Sequence, residues 1–101
     1  MGSGAQVFRA LADPTRRDIL QELKQSELAA GDIVARFSIS APSISRHLAI
    51  LKSAGLVSER RAGNRIFYRL EPETIAHTVG NFLSRVCPTQ VLRKRRKGGK
   101  S

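Results

Sequence analysis

Tryptophan is absent from this chain of 101 residues, and cysteine, methionine and tyrosine occur once each. With Cys87 alone, an intrachain disulfide is excluded, which agrees with a reducing compartment. No apolar run approaches the roughly 20 residues of a membrane-spanning helix, so membrane insertion is not expected. No secretory signal pattern precedes the first helical pattern, and the expected location is the cytoplasm, in association with the nucleoid. Catalytic constellations are missing as well. There is no Gly-rich phosphate loop, no Ser-His-Asp set in a suitable context and no carboxylate pair on an apolar cleft, so no enzyme is expected.

Acid is scarce. Eight Asp and Glu stand against eighteen Lys and Arg, for a formal net charge of +10. Six of those cations (Arg93, Lys94, Arg95, Arg96, Lys97 and Lys100) crowd the C-terminal end, leaving a smaller surplus on the body. Such a balance draws a protein to polyanions, of which nucleic acid is the commonest. The length allows one domain with a modest core, and further apolar helical faces would favour a dimer. Residues 1–4 are expected to form a disordered N-terminus, residues 5–88 the folded domain and residues 89–101 a basic disordered tail.

The pattern predicts helix, helix, helix, helix, hairpin, helix. Val7, Phe8 and Leu11 mark the first helix. Asp13-Pro14 starts the second, with Asp13 as N-cap and Pro14 at the first helical position. Ile19, Leu20 and Leu23 form its buried stripe, and one of Arg16 and Arg17 is read as a surface cation pairing with Asp13, Asp18 or Glu22 rather than as a DNA contact. A third helix is expected over Ala30 to Phe37. Ser40 caps the fourth, which tolerates Pro42 in its first turn and stops at Gly55. Leu56–Arg61 and Arg65–Leu70 read as strands around Ala62-Gly63-Asn64. Glu71-Pro72-Glu73 opens the last helix, with Ile75, Val79, Phe82, Leu83 and Val86 as a long apolar stripe.

On the fourth helix Ile44, Leu48 and Leu51 lie within about 60° of one another and must face the core. Pro42, Ser43, Arg46 and Ser53 then fall opposite, with Ser45 and His47 on the flanks. Small residues at Ala41, Ser43 and Ser45 would let the helix axis approach a groove floor. Arg46 suits a bidentate contact to guanine, and Ser40, Ser43 and Ser45 suit phosphates or base edges. The plain alternative for Arg46 is a solvated charge. His47 is expected to pack or to touch phosphate. Ile50 points away from the core stripe without evident reason. Arg61, Asn64 and Arg65 flank the hairpin turn, where a wing would meet an adjacent minor groove or backbone; a charged hairpin blunting its own edge is the alternative.

Two short helices with a tight turn, followed by a basic hairpin, describe a winged helix-turn-helix. The chain here resembles the ArsR family of small bacterial repressors. The match is carried by Leu11-Ala12-Asp13-Pro14-Thr15-Arg16-Arg17-Asp18-Ile19-Leu20, by Ser43 through Val57, and by Arg60-Arg61-Ala62-Gly63-Asn64-Arg65 with Tyr68-Arg69-Leu70. Within the family it is most similar to the metal-independent, SdpR-type autorepressors. The resemblance implies a mainly α fold with a small β-hairpin, double-stranded DNA as partner, and repression from a palindromic operator. It also implies a homodimer through the first and last helices, placing Val7, Phe8, Leu11, Ile75, Val79, Phe82, Leu83 and Val86 at the interface. Where metal-sensing members carry a Cys-x-Cys pair, this chain has Ala29 and Gly31, which cannot hold a soft metal. Glu73 and His77 with their symmetry mates are a remote zinc possibility, and His77 reads better as polar punctuation. No metal or other cofactor is expected, and relief of repression could come from a partner protein, from dilution or from a small molecule between subunits. Two alternatives stand beside this reading: a sequence-independent architectural DNA-binding protein driven by the tail, and a thiol-responsive repressor switching through Cys87.

Overall fold

The computed structural model describes residues 3–88, so the basic tail expected at 89–101 lies outside the described residues. The elements run α1 (Gly4–Leu11), α2 (Pro14–Gln25), β1 (Leu28–Ala29), α3 (Ala30–Ala35), α4 (Ala41–Ser53), β2 (Val57–Ala62), β3 (Arg65–Leu70) and α5 (Pro72–Val86). The winged helix-turn-helix expected from the sequence is present, with one addition. β1 pairs antiparallel with β3, Leu28 against Tyr68 and Ala29 against Phe67, making a three-stranded sheet in the order β1-β3-β2. Two residues are too few to show an alternating pattern, which is why that strand leaves no trace in the sequence.

Helices α1, α2 and α4 start where a side chain satisfies an orphan N–H group, whereas α3 and α5 have no side-chain cap bond. Ser3 Oγ accepts from the Gln6 N–H at 3.2 Å while Gln6 Oε1 accepts from the Ser3 N–H at 2.9 Å, a capping box. Ser3 and Gly4 therefore cap and open α1 rather than forming part of a disordered end. Asp13 caps α2 by accepting from the Arg16 N–H at 3.0 Å, with Pro14 in the first turn. Ser40 caps α4 by accepting from the Ser43 N–H at 3.3 Å. That helix ends in a Schellman motif: Gly55, at φ 78°, donates to the Lys52 carbonyl and Leu56 donates to that of Leu51. Helix α3 stops two residues before the expected Phe37, with Arg36 as its C-cap.

The core gathers Val7 and Ala10 of α1, Ile19, Leu20 and Leu23 of α2, Leu28, Ile33, and Ile44, Leu48 and Leu51 of α4, closed by Leu56 and Val57. Val7 is fully sealed inside this protomer, so its expected place at a dimer interface is corrected; it shares with Ala10 the inward side of α1. Helix α5 differs from the others because none of its fifteen residues is buried. Ile75 packs partly against the core, and Phe82 meets Phe8 edge-to-face at 5.4 Å between ring centroids. Phe8, Phe82, Leu83 and Val86 remain exposed.

Arg16 and Arg17 are not paired with neighbouring carboxylates as expected. Arg17 Nη1 donates to the Leu11 carbonyl at 2.7 Å. Arg16 Nε donates to the Ala10 carbonyl at 2.8 Å and Nη2 to that of Arg9 at 3.2 Å. Both cations sit at the negative end of α1, where carbonyls lack helical partners, and this outcompetes an exposed ion pair.

The Asp13 carboxyl is held below the usual carboxylate range chiefly by the Arg16 N–H it accepts, with partial desolvation opposing and the Arg16 and His47 charges adding. A lowered folded value means stability that is present at neutral pH and lost as pH falls through the Asp13 titration. Asp13→Ala should cost about 1 kcal/mol at pH 7 by urea denaturation, and the gap to wild type should close as the pH falls below the ordinary carboxylate range.

Candidate nucleic-acid interface

Sealing one edge of α4 fixes what the other edge presents. Ile44, Leu48 and Leu51 are buried, and Ser40, Ala41, Pro42, Ser45 and Arg46 are exposed, with Ser43 half-buried. Among the described residues Arg46 takes part in no side-chain hydrogen bond or ion pair. The open edge therefore offers hydroxyls, short side chains and one uncommitted guanidinium. Ile39, just before the Ser40 cap, is also exposed and was not singled out by the sequence.

His47 behaves differently from its neighbours. Its side chain is half-buried and turned toward α2, with Nδ1 3.4 Å from Arg16 Nη1 and 3.9 Å from Asp13 Oδ2. Rather than projecting outward, it buttresses α4 against the N-terminus of α2. Arg16 thereby holds three elements, taking carbonyls from α1 and the imidazole from α4. Sequence reasoning missed this joint because its members are 31 positions apart. The only hint was an arginine three residues after a capping aspartate.

The hairpin closes at Ala62 against Arg65, leaving Gly63-Asn64 as a two-residue turn. Gly63 has φ 62° and among the described residues no non-glycine residue has positive φ, so only the first central position is left-handed, as a type II′ turn requires. Asn64 adopts ordinary backbone geometry. Glu59 of β2 accepts from Lys52 Nζ of α4 at 2.9 Å, tying the wing to the helix. That bond is also the main reason the Glu59 carboxyl titrates low. Burial raises the Tyr68 phenol, with the Glu59 charge next, as befits a residue packed partly against the core.

Four arginines on the hairpin are not equivalent. Arg60 grips Glu27 through two bonds, Nη2–Oε1 at 2.7 Å and Nε–Oε2 at 3.1 Å, and lies 4.7 Å above the Phe67 ring. This contact lowers the Glu27 carboxyl, its hydrogen bond from Arg60 being the leading cause. Arg65 lies 5.1 Å from the same ring and approaches Asp32 at 3.5 Å. Arg69 approaches Glu71 at 3.5 Å; the Glu71 carboxyl is lowered first by the Ser58 hydroxyl that donates to it at 2.6 Å. Arg61 is exposed and has no ion pair among the described residues. Of the three wing residues expected to meet DNA, Arg61 and Asn64 are open and Arg65 is shared with an acid.

Metal and thiol chemistry leaves little on the same surface. Among the described residues no three or more His, Cys, Asp or Glu side chains gather where a metal ion could be held. His77 is exposed with Nε2 3.4 Å from Asn81 Nδ2, and Cys87 is a free, half-buried thiol. No helix among these residues is long and apolar enough to cross a membrane.

The wing turn tests its own backbone. A Cβ at Gly63 would meet nothing within 4 Å, so any cost of Gly63→Ala is conformational. We expect a loss of about 1 kcal/mol in chemical denaturation, from the positive φ alone.

Comparison with known proteins places this geometry. Residues 13–59 match the family model described as bacterial regulatory protein, arsR family. The chain is similar to the transcriptional repressor SdpR of Bacillus subtilis, 45% identical over 82 residues that cover 78% of this chain and 91% of that protein. It is similar to the HTH-type transcriptional regulator Rv2034 of Mycobacterium tuberculosis, 42% identical over 71 residues, 70% of this chain and 66% of that one. Among solved structures it resembles an ArsR-like transcriptional regulator from Rhodococcus, with a TM-score of 0.74 and 32% identity, covering 95% of this chain and 87% of that one.

Proposed function

The chain belongs to the ArsR family of bacterial regulatory proteins, DNA-binding transcriptional repressors rather than enzymes, and we propose that it acts as a homodimer on an imperfectly palindromic operator, including one at its own promoter. The observation that carries this reading is the open edge of α4: exposed Ser40, Ala41, Pro42, Ser45 and Arg46 backed by the sealed Ile44–Leu48–Leu51 edge. In this reading α4 enters the major groove, Arg46 meets a base edge or phosphate, and Arg61, Asn64 and Arg65 reach the neighbouring backbone or minor groove. His47 acts indirectly, by fixing the angle at which α4 leaves the body.

Dimerisation is supported by the outer side of α5. A helix of fifteen residues with no buried side chain and with Phe82, Leu83 and Val86 exposed beside Phe8 requires cover. Leu11, Ile75 and Val79, half-buried in the protomer, would complete the contact. Residues 5–88 then supply both DNA binding and dimerisation. Helix-turn-helix geometry sets the two half-sites about 34–36 Å apart, or a multiple of that spacing. The similarity to the transcriptional repressor SdpR supports repression; that it proceeds without a metal sensor is supported by Ala29 and Gly31, which offer no metal-binding side chain, and relief by a partner protein, in the cytoplasm at the nucleoid, completes the proposal.

Two variants test the reading. Arg46→Ala should weaken operator binding by about 1–3 kcal/mol if it reads a base, with little change on scrambled duplex; equal losses on both would assign it to phosphate. Fluorescence anisotropy separates these outcomes, and unchanged binding to both duplexes would remove Arg46 from the interface. Phe82→Asp should convert a dimer in sedimentation equilibrium into a monomer with an intact far-UV spectrum. A wild-type protein that sediments as a monomer at micromolar concentration would sink the dimer.

A further inference from the structure

His47 is the only group on α4 whose charge ordinarily changes near neutral pH, and its ring lies between opposite charges. Nδ1 is 3.4 Å from Arg16 Nη1 and 3.9 Å from Asp13 Oδ2. A guanidinium can only donate, so the contact with Arg16 needs a bare Nδ1 and places the proton of the neutral ring on Nε2. Asp13 favours the other state, with a second proton on Nδ1. Its carboxyl stays ionised wherever imidazole titrates, because the Arg16 N–H holds it low. The two influences act over nearly the same distance and largely offset one another. Among the described residues no charge from the other elements packed on α4 bonds to the ring. Glu59 of β2 holds Lys52, Asp32 of α3 faces Arg65 of the wing, and Arg9 of α1 lies on a groove rim with Ile50 and Ser53. Nε2 forms no hydrogen bond among these residues, where no buried side-chain nitrogen or oxygen lacks a partner, so Nε2 is open to solvent. The next residue back is Arg46, the exposed cation offered to DNA.

We propose that His47 is a proton-linked switch in the DNA-binding helix: operator binding draws a proton from solvent onto Nδ1, and the operator is held more tightly as pH falls through the imidazole range. With Arg16 and Asp13 nearly balanced, a third charge decides the state of the ring. DNA phosphates around α4 supply it from the open side. On protonation the ring exchanges Arg16 for Asp13 as its partner, since Nδ1–H can no longer accept. Arg16 keeps the Ala10 and Arg9 carbonyls, so the corner between α1 and α2 stays closed. The imidazolium then stands beside Arg46 as an additional cation on α4. By linkage, binding of DNA and binding of the proton favour each other equally. The switch rests on the operator reading; the tautomer and the exchange of partners do not.

The test uses the full chain and a duplex that the wild type selects from a random pool. In anisotropy at constant ionic strength, wild-type affinity should rise roughly fivefold from about pH 8 to about pH 6. His77→Gln, which removes the only other histidine, should keep that slope, and His47→Gln should lose it. Imidazole nitrogen spectra of the wild type need no variant to fold. Without DNA they should show neutral His47 with its proton on Nε2, and near pH 7 the protonated fraction should be larger with duplex than without. A flat wild-type profile, a slope that survives in His47→Gln, or His47-dependent binding that weakens toward acid would each overturn the switch. So would an equal protonated fraction with and without duplex. A neutral ring with its proton on Nδ1 would overturn the Arg16 contact on which the switch is built. A wild-type chain that selects no duplex at any pH would overturn the operator reading and the switch with it, while the nitrogen spectra would still decide the tautomer.

Discussion

Burial of a single narrow edge, Ile44–Leu48–Leu51, is the constraint on which the other features of this molecule depend. It fixes the roll of α4 about its own axis, and every exposed group on that helix takes its direction from that roll. The ends are fixed as well. Ser40 closes the start, and the paired bonds from Gly55 and Leu56 close the finish, so the helix has neither a fraying turn nor freedom to slide. From the side, the Arg16 fork joins α4 through His47 to the last carbonyls of α1. A binding edge made of short side chains needs such support, because serines and alanines cannot reach out to correct a misplaced backbone.

Charge on this protein is better understood by its partners than by its sum. The wing carries four arginines, yet three of them face acids: Arg60 with Glu27, Arg65 with Asp32 and Arg69 with Glu71. Exposed pairs of this kind contribute little to stability. Their effect is on availability, since phosphate must compete with a carboxylate already in place. Arg61 and Arg46 have no such competitor among the described residues, which is what the proposed DNA contacts require of them.

Much of the fold was legible because it is written in local signals. Asp13-Pro14, Ser40, Gly55 and Gly63-Asn64 each satisfy a nearby backbone need, and the apolar spacing of α2, α4 and α5 follows one period. The exposed edge of α4 followed from the same period. What escaped was non-local or too short. Two-residue β1 has no periodicity, the Arg16–His47 contact spans two helices, and the acids that occupy Arg60 and Arg65 come from outside the hairpin. Val7 was misassigned because an apolar residue on a short helix has the same appearance whether its own core or another surface covers it; in this protomer its own core does.

Helix α5 adds no buried side chain to its own protomer. Whatever covers Phe82, Leu83 and Val86 therefore supplies free energy that the isolated protomer lacks, and supplies it by mass action. In the homodimer proposed above the cover is a second copy, and the melting temperature would then rise with protein concentration. In that dimer newly made copies at low abundance would be the least protected from proteolysis, and accumulation itself would lengthen their lifetime.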